Sequence, residues 1–139
     1  MTATARSTAP DDGAPTVELT RFRVPVHAAA ELLAARPGMV AAFAAHRRGF
    51  LGAELVRLDA ETWVDVVRWA RAEDLAESRR RGGDHPAIAA FFAPIAELLA
   101  SESGPAVDAV DAVDAVVASA AQADGARPGP AGAVTTRPR

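Results

Sequence analysis

Between Val17 and Leu99 the spacing of apolar residues switches back and forth between two residues and about 3.6, and this succession constrains the fold more than any other feature of the chain. Val17–Val24 (Val-Glu-Leu-Thr-Arg-Phe-Arg-Val) alternates, which predicts a strand that Pro25 ends. His27–His46 has helical spacing, with Leu32, Leu33, Met39, Val40 and Phe43 on its apolar side and an interruption expected at Arg36-Pro37-Gly38. His46, Arg47 and Arg48 fall in its last turn, where cations suit the helix dipole, and Gly49 is placed to take a left-handed cap. Phe50–Leu58 and Thr62–Trp69 read as strands, and the short Asp59-Ala60-Glu61 link makes them an antiparallel hairpin. Ala72–Arg81 reads as a helix ending in a basic run before Gly82-Gly83. Asp84 or His85 then caps a second helical piece with Pro86 in its first turn. Ile88, Phe91, Phe92 and Ile95 give that piece its apolar side, and Pro94 is expected to kink or restart it. A last strand is expected within Leu98–Val107. The order β-α-β-β-α-β predicts an α+β, ferredoxin-like subunit.

A chain of 139 residues suits one domain. Half of the residues are hydrophobic, but alanine makes up much of that half, so the core must come from the large apolar residues between Val17 and Leu99. We expect a domain over residues 16–106. Residues 1–15 hold no large apolar side chain after Met1 and are expected to form a disordered leader. Residues 107–139 read as a low-complexity, disordered tail; its triple Asp-Ala-Val repeat is compatible with a marginal helix carrying Val107, Val110, Val113 and Val117 on one side. A net charge of −3 argues against nucleic acid or an anionic membrane as partner. The absence of cysteine excludes disulfides, thiolate catalysis and Cys-ligated metal sites. No apolar run is expected to span a membrane and no secretory segment opens the chain, so a cytoplasmic location is expected.

Both faces of the expected sheet are apolar. In the third strand Trp63, Val67 and Trp69 share one parity and Val64 and Val66 the other. In the second, Leu51, Ala53 and Leu55 are expected on one face and Phe50, Val56 and Leu58 on the other. Helices cover only one face in this fold, so the other needs a partner, and a homodimer packed sheet on sheet is the expected solution. The alternative is a C-terminal segment folded back over that face.

Candidate chemistry centres on the third strand. Trp63, Asp65, Val67 and Trp69 share one face, and a carboxylate between two indoles reads either as a pocket wall or as core packing with the acid paired to an arginine. In the pocket reading the indoles stack on a planar aromatic ligand and Asp65 takes a proton. Arg21 and Arg23 flank Phe22 in the first strand; they mark either a strand end entering solvent or a pocket mouth that stabilises an anion. The histidines His27, His46 and His85 lack metal-ligand spacing, and Arg79-Arg80-Arg81 reads as a solvated helix end.

These segments together resemble the antibiotic biosynthesis monooxygenase family over about Val17 to Glu102. The residues carrying the resemblance are Val17–Val24, the Pro37-containing helix, Gly49-Phe50-Leu51-Gly52-Ala53-Glu54-Leu55, Trp63-Val64-Asp65-Val66-Val67-Arg68-Trp69 and the acidic helix start Glu73-Asp74. The resemblance implies a dimeric α+β barrel with a ligand cavity between sheet and helices. It further implies oxygenase chemistry on anthrone-type polyketides, haem degradation, or binding of small molecules, all of which occur among relatives. Trp69 is similar to the family's Trp at the end of the third strand. Thr20 stands nearest to the position of an Asn used by catalytic relatives; this chain contains no Asn and no Tyr. The haem degraders' His ligand, on the helix after the third strand, has no counterpart here: that helix holds Arg79 to Arg81, and His85 follows later.

The expected function is a small oxygenase of bacterial secondary metabolism that uses molecular oxygen on a polycyclic phenolic substrate, with neither metal nor cofactor. Trp69 and Asp65 are its catalytic candidates. Trp63, Phe22, Phe43, Arg21, Arg23 and Thr20 are its substrate-binding candidates. The alternatives are a non-catalytic dimeric binder of an aromatic intermediate and an oxygenase supplied with reduced flavin by a partner.

Overall fold

A computed structural model describes residues 13–108 together with 110, 112, 113 and 120. Strand β1 (Thr16–Arg23) leads through a short 3-10 turn (Val26–Ala28) into helix α1 (Ala29–His46). The hairpin β2 (Phe50–Arg57) and β3 (Thr62–Trp69) follows, then helices α2 (Ala72–Arg81) and α3 (Pro86–Phe92), and last β4 (Glu97–Pro105). The four strands form one antiparallel sheet in the order β2-β3-β1-β4, which is the ferredoxin-like arrangement. The compact unit ends at Val107. Of the residues beyond it only Asp108, Val110, Ala112, Val113 and Ala120 are described; Ala112, Val113 and Ala120 are helical. The rest of the expected tail, and residues 1–12 of the expected leader, lie outside the described residues.

The period-two pattern of β1 and β3 sets which face the helices cover. Thr16, Phe22 and Val24 are buried on that face of the β1 segment, and Trp63, Asp65, Val67 and Trp69 on that face of β3. From the helices come Leu32, Met39, Ala42, Phe43, Leu75, Ile88 and Phe91. Trp69, Phe22, Phe91, Leu32, Met39, Ile88 and Val24 are the largest side chains wholly removed from solvent. Each contributes on the order of 1.5–3 kcal/mol by burial. On the opposite sheet face Leu19 and Val56 stay 40% and 36% exposed, with Arg21 and Arg68 exposed beside them.

Four expectations are corrected. Helix α1 runs unbroken through Arg36-Pro37-Gly38. Pro37 lies on the solvent side, where the Leu33 carbonyl that loses its amide partner can bond to water, so the helix tolerates the ring. In β2 the register shifts between Phe50 and Gly52. That bulge turns Phe50 onto the helix-covered face with Ala53 and Leu55, where its ring meets Phe43 and Trp69, and leaves Leu51 52% exposed. Arg47 is not a solvated cation of the last helical turn. The helix ends at His46, Arg47 is extended, and its side chain is 1% exposed. Finally, Val26–His46 is long and apolar enough, by length and composition, to cross a membrane. Alanine supplies much of that apolarity, and in the fold Ala29, Leu32, Met39, Ala42 and Phe43 of this segment are buried in the domain core.

Candidate functional site

A cavity of about 470 Å³ opens between the sheet and the helices. Its floor comes from β1 (Glu18, Thr20, Phe22), β3 (Asp65, Val67) and β4 (Leu98, Ser101). Its roof comes from α1 (Met39, Phe43), α2 (Ser78, Arg79) and α3 (Phe91, Phe92), with Arg47, Gly82 and Ile95 between them. The lining exists because period two aims alternate residues of each strand at the helices. The rings of Phe22 and Phe91 meet edge to face at 6.2 Å, so the apolar wall is continuous across floor and roof.

Asp65 stands in the floor with both oxygens engaged. Arg36 NH1 donates to Oδ2 at 2.6 Å and NH2 donates to Oδ1 at 2.7 Å, a two-pronged ion pair joining α1 to β3. The two side chains are 13% and 10% exposed. The Arg36 guanidinium also lies over the Phe91 ring, 5.2 Å from its centroid.

Glu18, two residues before Thr20 on the same face, is the other carboxylate of the wall. Trp69 Nε1 donates to its Oε1 at 3.0 Å. Arg79 Nε lies 3.4 Å from its Oε2, and Arg79 NH2 donates to Ser101 Oγ at 3.1 Å. Arg47 anchors the roof: its Nε donates to Ser78 Oγ at 3.0 Å, its NH1 to Asp84 Oδ1 at 2.9 Å and its NH2 to the Gly82 carbonyl. The guanidinium groups of Arg47 and Arg81 beside Asp84 hold that carboxyl below the usual carboxylate range.

The structure brings Thr20, Phe22, Phe43 and Asp65 of the expected site residues into the cavity wall. It does not bring in Trp63, Trp69, Arg21 or Arg23. Trp69 is fully buried behind Phe43, with ring centroids 5.7 Å apart. Trp63 is 3% exposed, has Arg57 over its ring at 4.7 Å, and its Nε1 finds no acceptor among the described residues. Parity shows which face a side chain takes but not how deep it sits, and both indoles sit behind the wall. Arg21 is exposed on the open sheet face. Arg23 pairs there with Glu61 and Glu97 at 3.5 and 3.3 Å. Cavity residues not placed in a site from the sequence include Glu18, Met39, Arg47, Phe91 and Ser101. Glu18 carried a usable signal, since it shares parity with Thr20 and Phe22.

No histidine lines the cavity among the described residues. His46 and His85 stack on each other with centroids 5.0 Å apart. His85 Nδ1 accepts from the Ala87 amide at 3.1 Å, which makes His85 the N-cap of α3. The described residues contain no cluster of three metal-ligating side chains.

No protein-family model matches the sequence, and no curated protein matches it. Solved structures share its fold. A candidate antibiotic biosynthesis monooxygenase from Caulobacter crescentus CB15 matches with a TM-score of 0.56 and 21% identity, over 69% of this chain and 92% of that one. SnoaB, a cofactor-independent oxygenase from Streptomyces nogalater, matches in a mutant form with a TM-score of 0.50 and 22% identity, over 71% and 97%. The heme-degrader MhuD from Mycobacterium tuberculosis, solved with two hemes bound in its active site, matches with a TM-score of 0.52 and 23% identity, over 69% and 99%. The fold of this chain is therefore that of antibiotic biosynthesis monooxygenase-family structures.

Proposed function

We propose, from the fold shared with these monooxygenase structures, that the chain oxidises a polycyclic phenolic substrate of the anthrone kind with molecular oxygen, without metal or resident cofactor. One observation carries the reading: a cavity walled by Phe22, Phe43, Phe91 and Phe92 that also presents Thr20, Glu18 and Asp65 from its floor. Its volume falls within the roughly 300–1,000 Å³ range of small-molecule sites. Rings would hold the planar substrate, and the floor's polar groups would orient its hydroxyls. Loss of a proton from the substrate leaves an electron-rich anion. This gives two electrons to oxygen and forms a carbon-bound hydroperoxide. Elimination of water then turns the CH2 carbon into a carbonyl, so one O2 becomes the new carbonyl oxygen and one water.

Heme degradation, the activity in MhuD's name, fits these residues less well, because no imidazole faces the cavity among the described residues. A second reading, a non-catalytic binder of an aromatic intermediate, draws support from Asp65. Its carboxylate is already committed to Arg36. A third keeps the oxygenation but adds reduced flavin from a partner.

The test is turnover of 1,8-dihydroxyanthrone in air, followed by quinone absorbance, with and without reduced flavin. Acceleration over buffer without flavin supports the proposal. Acceleration only with flavin supports the third reading, and quenching of Trp fluorescence by a ligand recovered unchanged supports the second.

The proposal includes a homodimer formed by the open sheet face. Leu19 and Val56 are part-exposed there, with Val17, Val64 and Val66 half-buried around them. Sedimentation at twice the chain mass, reduced to one chain by Leu19→Glu, is the expected result.

A further inference from the structure

We infer that Glu18 is the proton acceptor of this site and that Trp69 acts through it as a positioning residue, an inference that rests on the oxygenase reading for its substrate. Among the described residues two carboxylates line the cavity, and their hydrogen bonding separates their roles. Asp65 receives two short, charge-assisted bonds from one guanidinium, and neither oxygen can turn to a ligand without breaking the pair. Among the described residues Glu18 has a single close donor, the neutral indole N–H of Trp69 at 3.0 Å on Oε1. Its Oε2 has only the longer contact to Arg79, whose side chain is 44% exposed and can swing aside into solvent.

Trp69 has no exposed surface and does not touch the cavity. A donor fixed so deeply holds one carboxylate oxygen in place on a residue that itself lines the cavity. The Thr20 side chain follows on the same side of the same strand and lines the same cavity. The step is a proton transfer: Glu18 Oε2 takes the proton from the substrate's acidic CH2, the C–H electron pair stays on carbon and delocalises into the phenolic rings, and molecular oxygen later accepts it.

Proton removal can be observed without oxygen. The experiment follows deuterium uptake at the CH2 carbon of 1,8-dihydroxyanthrone in D2O under argon, for the full chain, Glu18→Gln, Trp69→Phe and Asp65→Asn, with quinone formation in air measured in parallel. Glu18→Gln keeps an oxygen that accepts from Trp69 Nε1, so the fold is retained. The expected result is enzyme-accelerated exchange that Glu18→Gln lowers by about 100-fold or more. Trp69→Phe should lower it about tenfold with KM little changed, the size of one lost hydrogen bond, and the acidic limb of the pH–rate profile should be absent only in Glu18→Gln. Exchange at the buffer rate in the wild-type chain overturns the inference. So does full exchange in Glu18→Gln, or loss of the acidic limb in Asp65→Asn instead. Exchange that depends on Glu18 with no quinone formed in air upholds the inference and overturns the oxygenase reading. Quinone formation that is indifferent to Glu18→Gln does the reverse.

Discussion

Gly49 and Asp74 occupy adjoining space: a Cβ at Gly49 would lie 2.1 Å from Asp74 Oδ2. Asp74 is 3% exposed, and Gly49 has a φ of +79°, so neither can give way easily. Gly49→Ala therefore meets both a backbone penalty and an overlap. We expect a loss of about 2–4 kcal/mol in urea unfolding. In an Asp74→Gly background every overlapping atom of that side chain is gone, and the same substitution should cost only about 1 kcal/mol for the backbone.

Asp65 and Arg36 form the most enclosed ion pair between the sheet and α1. Asp65→Asn leaves the guanidinium without its counter-charge in a largely dry place. The expected cost is about 3 kcal/mol, read as a fall in thermal midpoint. Arg36→Met combined with Asp65→Leu should recover much of it, since removing both partners strands no charge.

Asp84 links stability to pH. Hydrogen bonds from Arg47 and then Arg81 lower its carboxyl pKa in the folded chain. A lowered folded value gives stability that is full above the unfolded pKa of about 3.9 and is lost as pH falls through the folded value. Asp84→Asn should thus lower the melting temperature by a constant amount above about pH 5, and the gap between the two proteins should close below about pH 4.

His85 caps a helix of only seven residues. His85→Ala removes the side-chain acceptor for the Ala87 amide and should cost about 1 kcal/mol, whereas His85→Asn should retain the cap. Because α3 supplies Phe91 and Phe92 to the cavity, we expect His85→Ala to weaken binding of 1,8-dihydroxyanthrone as well, measured by Trp fluorescence.

The parts legible in the sequence were those that depend on period alone. Alternation in Thr62–Trp69 put Trp63, Asp65, Val67 and Trp69 on one face, as observed. The β2 face was misassigned because a bulge adds one residue to the strand, and no alternation pattern announces it. The break expected at Pro37 did not occur because the helix carries it on its wet side. The partners of Asp65, Glu18 and Arg47 come from 29, 51 and 31 residues away, separations at which only the assembled tertiary register decides who meets whom. For the same reason the sequence pointed to the indoles and the β1 arginines rather than to Glu18 and the α3 phenylalanines.

Arg36 touches two layers at once, its charge on the Asp65 carboxylate of the floor and its flat face on the Phe91 ring of the roof. Anything that wedges the roof upward at Phe91 has to choose which of the two contacts to strip. Parting the guanidinium from the ring costs about 0.5–1 kcal/mol or somewhat more, and parting it from the carboxylate costs several times that. The two contacts are therefore unequal: a displacement of Phe91 would give up the contact with the ring and leave Arg36 on the Asp65 carboxylate.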